Sequence, residues 1–372
     1  MSKAIHVIIA KCLPADDWIS ISEYNRLVLN ELNKCPGLKI QVCSPIFSNI
    51  RNRYIRALSR NIFFPMTVND AISKSGQRSL LHITDQFYAF LEKHDRIKTV
   101  ITCHDLIVFR HSNLSSAQRH RWIRRVNHLK HADMISADSQ STAQDIMTYL
   151  KVPESRICVN HLGSDPFYST LPDDHNYSPA VADLRLKKTG RIFILHVGSN
   201  VAQKNIGKLI EAVTLLRNKA LPVTLIKCGE IIPAPGYFGL SGTQWPQDMI
   251  INTGYIAKKE VLELYNTCDM LAFPSLYEGF GFPIIEAQQC GLPCISSDRS
   301  SLPEIGADSV LYCNPDSAED IAAKIHALSS DPILKKTLRA RGYINSRRFD
   351  WQKHISSLIT IYEALIHSNH RH

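Results

Sequence analysis

The sequence predicts an α/β protein with two domains, each built on a parallel sheet flanked by helices. Apolar runs of strand length alternate with amphipathic helical patterns through both halves of the 372 residues, as in parallel α/β folds. The length suits two domains of about 150 to 200 residues. Two such units imply two Rossmann-like domains, whose open sheets bind ligands beyond the carboxyl ends of the strands. We therefore expect the domains to face each other across a cleft that contains the active site.

The individual elements follow from these runs in chain order. In the first half, strands are predicted at 4–10, 39–43, 79–83, 98–102, 134–137 and 156–160, and helices at 20–33, 115–131 and 139–150. In the second half, strands are predicted at 191–197, 223–227, 249–252, 270–273, 293–296 and 310–312, with helices between them and three more at the end of the chain. The last of these is amphipathic and runs from about 351 to 366.

The segment between the two halves predicts the domain boundary. It contains Pro166, Pro172 and Pro179, is polar and has no clear periodicity. We therefore predict a first domain, a linker, a second domain and a final helix. Their bounds are 1–170, 171–189, 190–350 and 351–372.

Composition and charge exclude a membrane-spanning chain and leave several partners open. The hydrophobic fraction is 44%, but no apolar run approaches the roughly 18 residues that a span needs. The N-terminus reads as a first strand and not as a secretory signal, so we expect a cytoplasmic protein. Ten cysteines form no Cys-x-x-Cys pair, which favours buried reduced thiols. The net charge of +9 suits phosphate-bearing ligands, an anionic membrane surface or nucleic acid.

Residues 274–292 carry the most specific pattern in the chain. They place Glu278 in a glycine-containing loop and Glu286 eight residues later, just past Pro283, where a helix is expected to begin. The loop glycines let the backbone approach a ligand closely, and the helix start points N–H groups and a positive dipole end toward it. Without these surroundings, each glutamate would read as a surface carboxylate beside a helix cap. The combination predicts a site for a phosphorylated sugar.

With this segment the chain resembles the family 4 glycosyltransferases of the GT-B fold, which are retaining enzymes that use nucleotide-sugar donors. The resemblance covers nearly the whole chain and rests on the Glu-x7-Glu signature of Glu278 and Glu286, followed by Gly291-Leu-Pro and by Ser301-Leu-Pro-Glu-Ile305. It implies that Glu278 lies at the donor sugar and that Glu286 binds the ribose hydroxyls. It also implies that the backbone between them meets the sugar and the diphosphate, at Gly279, Phe280, Gly281 and Phe282.

A second element, residues 196–205, leaves a strand and enters a helix, and it looks like the family's diphosphate loop. The resemblance places the Lys204 ammonium against the diphosphate, where it offsets the charge that grows on the leaving group. Many relatives carry an arginine where this chain has Ser199 and Gln203, which leaves Lys204 with more of the charge. The alternative is an exposed lysine near a helix start. The remaining donor-binding assignments are Gly198, Ser199, Asn200 and Asn205, with Tyr255 in the segment that borders the base.

In the first half, the resemblance assigns a catalytic role to His104, near the reacting end of the sugar. This histidine and Asp105 end a predicted strand, although Asp105 also fits a simple turn cap. Relatives have a pair of glycines in the first loop, where this chain has Asp17-Trp-Ile-Ser-Ile-Ser22. Contacts with the acceptor are therefore assigned only broadly. The residues on that side are Ser20, His82, Asp85 and Asp105.

The predicted helix at 115–131 is strongly basic, with five arginines and lysines between 119 and 130. A solvated helix face is the simple interpretation. The alternative is peripheral docking to anionic lipid headgroups at the inner face of the plasma membrane, worth about 1 kcal/mol per basic residue. We expect no nucleic acid partner. By resemblance, the final helix packs back onto the first domain.

The sequence contains no Asp-x-Asp, so we expect metal-independent catalysis and no cofactor. The resemblance implies transfer of a hexose, with retention, from a GDP- or UDP-linked donor to a glycan or lipid-linked acceptor of surface polysaccharide or lipopolysaccharide. A GT-B epimerase or phosphorylase is a second enzyme interpretation. A non-catalytic scaffold that binds sugar nucleotides is the alternative from a different class.

Overall fold

The structure is a computed structural model that describes residues 4–11, 19–46, 52–92, 96–110, 115–232 and 248–368. Over these residues the chain divides into two compact units. The first contains the described residues up to 163 and those from 350 onward, and the second contains 164–349. Each unit has a six-stranded parallel sheet, which confirms the predicted α/β class.

The sheet of the first unit has the order β2-β1-β3-β4-β5-β6, and each neighbouring pair is parallel. Its strands are β1 (Ile5–Ala10), β2 (Leu38–Cys43), β3 (Ser79–Ile83), β4 (Lys98–Cys103), β5 (Met134–Ala137) and β6 (Ile157–Val159). Each boundary lies within one residue of its prediction. For β1, β3, β4 and β5 the agreement is close because strands covered on both faces read as nearly continuous apolar runs.

The sheet of the second unit has the order β12-β11-β10-β7-β8-β9, again parallel throughout. Its strands are β7 (Ile192–Gly198), β8 (Val223–Gly229), β9 (Ile250–Gly254), β10 (Met270–Phe273), β11 (Cys294–Ser297) and β12 (Val310–Cys313). This is the doubly wound Rossmann order, in which the chain reverses direction across the sheet between β7 and β10.

Helices connect the strands in both units. The α-helices are α1 (Ile19–Leu32), α2 (Arg53–Leu58), α3 (Phe64–Ser73), α4 (Ile107–Arg110), α5 (Ser116–Val126), α6 (Gln140–Asp145), α7 (Pro179–Lys187), α8 (Ile206–Asn218), α9 (Lys258–Thr267), α10 (Phe282–Gln289), α11 (Leu302–Gly306), α12 (Ala318–Ser330), α13 (Pro332–Ser346) and α14 (Trp351–Ser368). The 3-10 helices are Gln86–Glu92, Asn127–His131, Glu154–Arg156 and Ala202–Lys204. Two π-helical turns, Ser59–Phe63 and Ile146–Leu150, extend α2 and α6, and the first of them runs directly into α3.

The final helix, α14, belongs to the first unit, as the resemblance implied. Its Tyr362 hydroxyl is 2.7 Å from Nδ1 of His82 on β3, and His354 Nδ1 is 3.1 Å from the carbonyl oxygen of His161. At the start of the helix, a Cβ on Gly163 would come within 2.4 Å of the Trp351 ring. Only glycine fits there, so the chain is closely packed where α14 begins.

Two segments differ from the sequence-based description. Residues 171–189, which were predicted as a linker, contain α7, and Val181 and Leu184 are buried in the core of the second unit. Pro179 occupies the first turn of that helix, where proline is favoured, and does not interrupt it. The continuous helix over 53–73 was not anticipated. Six of its large hydrophobic side chains are exposed, which obscures the periodicity of its buried face.

Candidate active site

The candidate site lies where the order of strands reverses in the second unit. The loops that follow β7 and β10 leave the carboxyl ends of two neighbouring strands. Open α/β sheets bind ligands at this position, because connections diverge to either side and leave a crevice. Both loops were singled out from the sequence, and the sheet order brings them together.

The loop after β7 is held by the residue that begins α8. Asn205 adopts a left-handed conformation with φ of +57°, and its side-chain amide donates to the carbonyl oxygens of Pro274 (3.1 Å) and Pro315 (2.7 Å). Lys204 immediately precedes it, at the end of a 3-10 turn. Asn205 therefore has a structural role that fixes the position of Lys204.

The loop after β10 is held by two serines from the segment that follows β11. Ser300 Oγ accepts a hydrogen bond from the Glu278 N–H at 2.8 Å. The Ser301 hydroxyl lies 3.0 Å from the carbonyl oxygen of Glu278 and 2.6 Å from that of Phe280, so it can donate to either. Gly281 then has φ of +124°, a conformation that favours glycine, before α10 begins. Ser301, which belongs to the sequence signature described above, thus stabilises the backbone of the glycine loop.

Glu278 and Lys204 form an ion pair at the centre of the site. Lys204 Nζ is 2.7 Å from Glu278 Oε1, and the two side chains are only 18% and 14% exposed. The ammonium also lies 5.0 Å from the centroid of the Phe273 ring at the end of β10. Two predicted site residues separated by 74 positions in sequence are therefore in direct contact.

Glu286 lies on α10, and a buried tyrosine orients its carboxylate. The Tyr265 hydroxyl, on α9, donates to Glu286 Oε2 at 2.7 Å. Burial, followed by the nearby carboxylate, raises the pKa of Tyr265 well above its usual value, so the hydroxyl stays protonated and remains a donor. Pro283 occupies the first turn of α10, and this confirms the predicted helix start to within one residue.

Lys227 lies beside the candidate site but was not predicted from the sequence. It is fully buried on β8, and its ammonium donates to the carbonyl oxygens of Gly198 (2.5 Å), Glu230 (2.9 Å) and Cys228 (3.2 Å). Burial lowers its pKa to about 8. A lysine within the otherwise apolar strand Val223–Gly229 was the available sequence signal. The Lys227 ammonium thus binds Gly198, the last residue of β7, next to the loop that carries Lys204.

The other donor-side residues differ in their exposure. Asn200 is buried, its N–H donates to Glu230 Oε2 at 2.7 Å, and its side-chain amide donates to the Ile231 carbonyl at 2.8 Å. Ser199 is half-buried, whereas Tyr255 is 70% exposed just after β9. Asn200 thus shapes the loop, while the Tyr255 side chain is open to solvent.

In the first unit, His104 is held between two acceptors. Its Nδ1 is 2.6 Å from Asp138 Oδ2 and its Nε2 is 3.0 Å from the carbonyl oxygen of Thr84. Burial by itself would lower the pKa of His104, but the Asp138 carboxylate outweighs it and raises the pKa to about 9. Both ring nitrogens therefore donate, and the imidazole is a cation at neutral pH.

The structure buries His82, which was predicted as a possible acceptor-side residue, inside the first unit. The side chain is fully buried, with Nε2 2.8 Å from Thr102 Oγ1 and Nδ1 2.7 Å from the Tyr362 hydroxyl. Burial lowers its pKa to about 3, so the ring is neutral. Because β3 is buried on both faces, every side chain on it points into the protein. His82 joins the sheet to α14 instead of meeting a ligand.

The remaining acceptor-side residues have local structural roles. Asp85 is buried and accepts from the Phe87 N–H at 2.7 Å, and Asp105 accepts from the Ile107 N–H at 3.0 Å. Both contacts start short helices, the turn-capping alternative already considered for Asp105. Ser20 is in α1, and its side chain lies outside the described residues, as do Asp17 and Trp18.

Three general features of the described ranges bear on the site. No group of three or more His, Cys, Asp or Glu side chains within them is arranged to hold a metal ion. The nine cysteines in these ranges are free, and burial raises the pKa of several, including Cys290 to about 12. None of the helices in the described parts of the chain is long and apolar enough to cross a bilayer.

Two protein families match the chain, one over each half. The family described as Glycosyltransferase Family 4 matches residues 33–166, and the family described as Glycosyl transferases group 1 matches residues 183–348. The second match contains both loops of the candidate site.

Among individual proteins, the chain is similar to two mannosyltransferases of Escherichia coli. The serotype-specific mannosyltransferase WbdA is 29% identical over 290 residues, which are 73% of this chain and 34% of WbdA. The O-antigen chain mannosyltransferase B is 27% identical over 292 residues, which are 74% of this chain and 73% of that protein. The chain thus spans about a third of the length of WbdA.

Solved structures support the fold over nearly the whole chain. A glycosyltransferase from Rickettsia africae superposes with a TM-score of 0.71 at 18% identity, covering 98% of this chain and 99% of that one. Anabaena HepE in complex with UDP-glucose gives a TM-score of 0.73 at 17% identity, with coverage of 97% and 100%. The first half of the chain thus matches the family 4 glycosyltransferases and the second half matches the group 1 glycosyltransferases. The solved structures show the same two-domain GT-B fold.

Proposed function

We propose that this protein is a retaining, metal-independent hexosyltransferase. In this proposal it moves a hexose from a nucleotide diphosphate sugar to a glycan or lipid-linked acceptor in the synthesis of surface polysaccharide or lipopolysaccharide. The observation that carries the proposal is the contact between Lys204 and Glu278 at the reversal point of the second sheet. That position is where Rossmann-like sheets bind nucleotides.

The donor diphosphate is assigned to Lys204 and to the start of α10. When the glycosidic bond breaks, negative charge develops on the departing diphosphate, and a fixed ammonium stabilises it. Asn205 fixes the backbone that carries Lys204, so only the Lys204 side chain has to move from Glu278 to the diphosphate. Lys227 strengthens the same loop by binding the Gly198 carbonyl oxygen.

The two glutamates have different roles in this proposal. When the diphosphate engages Lys204, the Glu278 carboxylate becomes available to stabilise the positive charge that develops at the sugar's anomeric carbon. The acceptor hydroxyl attacks from the face that the diphosphate leaves, which retains the configuration. Glu286, oriented by Tyr265, accepts the ribose hydroxyls. The backbone near Tyr255 borders the base.

The sugar is proposed to be mannose, with glucose or galactose as the second candidate. Both E. coli relatives are named mannosyltransferases, one of them for the O-antigen chain. HepE, whose complex contains UDP-glucose, supports the glucose alternative through fold alone. In the first unit, we assign His104 to the reacting end of the sugar. Both of its N–H groups already donate to Asp138 and to the Thr84 carbonyl oxygen, so its imidazolium would act there through its positive charge.

A donor panel tests the proposal directly. The protein is mixed with GDP-mannose, UDP-glucose or UDP-galactose, and donor hydrolysis and thermal shift are measured for each. We expect one donor to be hydrolysed and to stabilise the protein, GDP-mannose first. Lys204→Met should lower turnover by more than about tenfold. Lys208→Met, a change at a partly exposed lysine on α8 that pairs with Glu211, should not change turnover. Equal loss in both variants would contradict the assignment of the diphosphate.

The alternative function is a scaffold that binds sugar nucleotides without turning them over. It would be supported if a donor stabilised the protein but neither hydrolysis nor transfer occurred with any acceptor preparation. Replacing Ser199 and Gln203 by arginine, the residue many relatives carry nearby, would then be expected to leave binding intact. The contact between Lys204 and Glu278 favours the enzyme.

A further inference from the structure

One face of the helix over 53–73 exposes large apolar side chains to solvent. Tyr54, Leu58, Ile62 and Met66 follow one another at four-residue spacing and are 48 to 65% exposed. We define the apolar face as these four residues together with their exposed neighbours Ile55 and Phe63. Sixteen large hydrophobic side chains of the described chain are exposed, and eight of them lie between 42 and 66. Such a concentration marks an interaction surface, whereas scattered exposed residues do not.

The helix is anchored to the first unit through its opposite face. Phe64, Val68 and Ala71 are buried in the core, and the Phe64 ring packs edge-on against Tyr88 at 5.8 Å. The apolar face is therefore presented by a helix whose position is fixed.

The sequence stretches that contain and adjoin the apolar face are basic. Residues 43–69 and 106–132 together contain ten arginines and lysines and no acidic residue. The positive charge of these two stretches exceeds the net charge of +9 of the whole chain. The two stretches meet where Arg125 on α5 donates to Asn61 Oδ1 at 2.9 Å. Arg121 and Arg124 are exposed on α5, whereas Arg119 folds back onto the carbonyl oxygen of Val108.

We propose that the apolar face and the arginines of α5 dock the protein onto an anionic lipid bilayer. The apolar side chains enter the boundary between headgroups and acyl chains, and the guanidinium groups bind lipid phosphates. The basic helix identified from sequence supplies only the electrostatic half of this surface. The helix over 53–73 supplies the hydrophobic half, so neither element alone accounts for the binding.

The charge distribution favours an anionic bilayer over two other partners, a second copy of the chain and a nucleic acid. A second copy of the chain placed on the apolar face would bring two basic surfaces together, and their repulsion opposes a dimer. A nucleic acid would satisfy the arginines, but it would leave the aliphatic side chains of Leu58, Ile62 and Met66 without apolar contacts. A bilayer surface satisfies both requirements.

Vesicle sedimentation of the full chain tests the proposal, without any nucleotide sugar. Vesicles of phosphatidylcholine alone are compared with vesicles of equal parts phosphatidylcholine and phosphatidylglycerol. We expect binding only to the anionic vesicles, with weakening at high salt, where the Debye length falls to about 3 Å. Arg121→Gln with Arg124→Gln should reduce binding by more than about tenfold. Leu58→Ser with Ile62→Ser and Met66→Ser should reduce it at least as much.

Matched controls separate this surface from a general loss of charge or apolar area. Ile333→Ser with Ile344→Ser removes two residues that are 79% and 69% exposed on α13, and Lys336→Gln with Lys353→Gln removes two exposed cations. Both should bind like the unmodified chain. The proposal is overturned if the unmodified chain binds neither vesicle or if the controls lose binding equally. It is also overturned if sedimentation velocity without lipid shows a dimer that the apolar substitutions dissociate. None of these outcomes depends on which donor the protein uses.

Discussion

Replacing Asp138 by asparagine should destabilise the protein by an amount that depends on pH. The substitution keeps an oxygen that can accept the Nδ1–H of His104 at 2.6 Å, but it removes the negative charge. Burial, which lowers the pKa of His104, is then opposed only by the weaker effects of Asp85 and the Thr84 carbonyl, so the pKa falls from its raised value. The change therefore isolates the electrostatic part of the interaction.

The magnitude follows from the pKa of His104. A rise from about 6.5 to about 9 corresponds to about 3 kcal/mol of stability, at 1.36 kcal/mol per unit. The pKa of Asp138 is itself raised, because burial outweighs the attraction of His104, and this offsets part of the gain. We therefore expect a loss of about 2 to 3 kcal/mol at pH 6, in line with the cost of breaking a buried pair.

The sign of the pH dependence is fixed by the direction of the shift. Because the pKa of His104 is raised in the folded state, its stabilisation is fully present below about pH 6.5 and is lost as the pH rises through about 9. The difference between the unmodified chain and Asp138→Asn should be largest near pH 6 and should shrink toward pH 9.5.

Urea unfolding followed by circular dichroism, measured at several pH values, gives this difference. Asp70→Asn is the matched control, since Asp70 pairs with Lys74 at 2.7 Å but both side chains are more than 60% exposed. It should cost less than about 0.5 kcal/mol at every pH. A loss for Asp138→Asn that is the same at pH 6 and pH 9.5 would refute the assignment of His104 as a buried cation.

Three further predictions address the donor site, the final helix and metals. Tyr265→Phe removes the hydrogen bond to Glu286 and should weaken donor affinity by about fivefold to tenfold in titration calorimetry, while turnover at saturation changes little. Unchanged affinity would contradict the assignment of Glu286 to the ribose. Tyr362→Phe leaves Nδ1 of His82 without its partner and should lower the free energy of unfolding by about 1 to 3 kcal/mol, with no effect expected from Thr360→Val on the exposed side of α14. Transfer activity should persist in excess chelator, and a loss that Mg²⁺ or Mn²⁺ restores would show that metal independence is wrong.

The strands and their order of appearance could be predicted because the signal is local. The second sheet begins with the apolar run that forms β7, and such runs are readable wherever both faces of a strand are covered. Helix 53–73 could not be predicted in the same way. Its exposed apolar face breaks the rule that solvent-facing positions are polar, so the periodicity that would mark its buried face is obscured.

The predictions about single polar residues were less successful, and His82 shows why. A histidine at the end of a strand looks like a ligand-binding residue, but the same residue pairs with Thr102 and Tyr362 when the strand is buried on both sides. Lys227 was overlooked for the opposite reason. Its apolar strand suggested a core position, yet its ammonium organises the loop beside the candidate site.

The amino-acid sequence was sufficient for the α/β class, the twelve strands and the two loops that carry Glu278 and Lys204. These features depend on residue types at short spacing, and local propensity and burial determine them. Which side chains meet depended on the order of strands within each sheet. Lys204 contacts Glu278 across 74 residues and Tyr362 contacts His82 across 280, because β10 lies beside β7 and α14 returns to the first unit. The sequence of a crossover helix does not indicate which position in the sheet the next strand will take. The local sequence pattern therefore cannot predict these contacts.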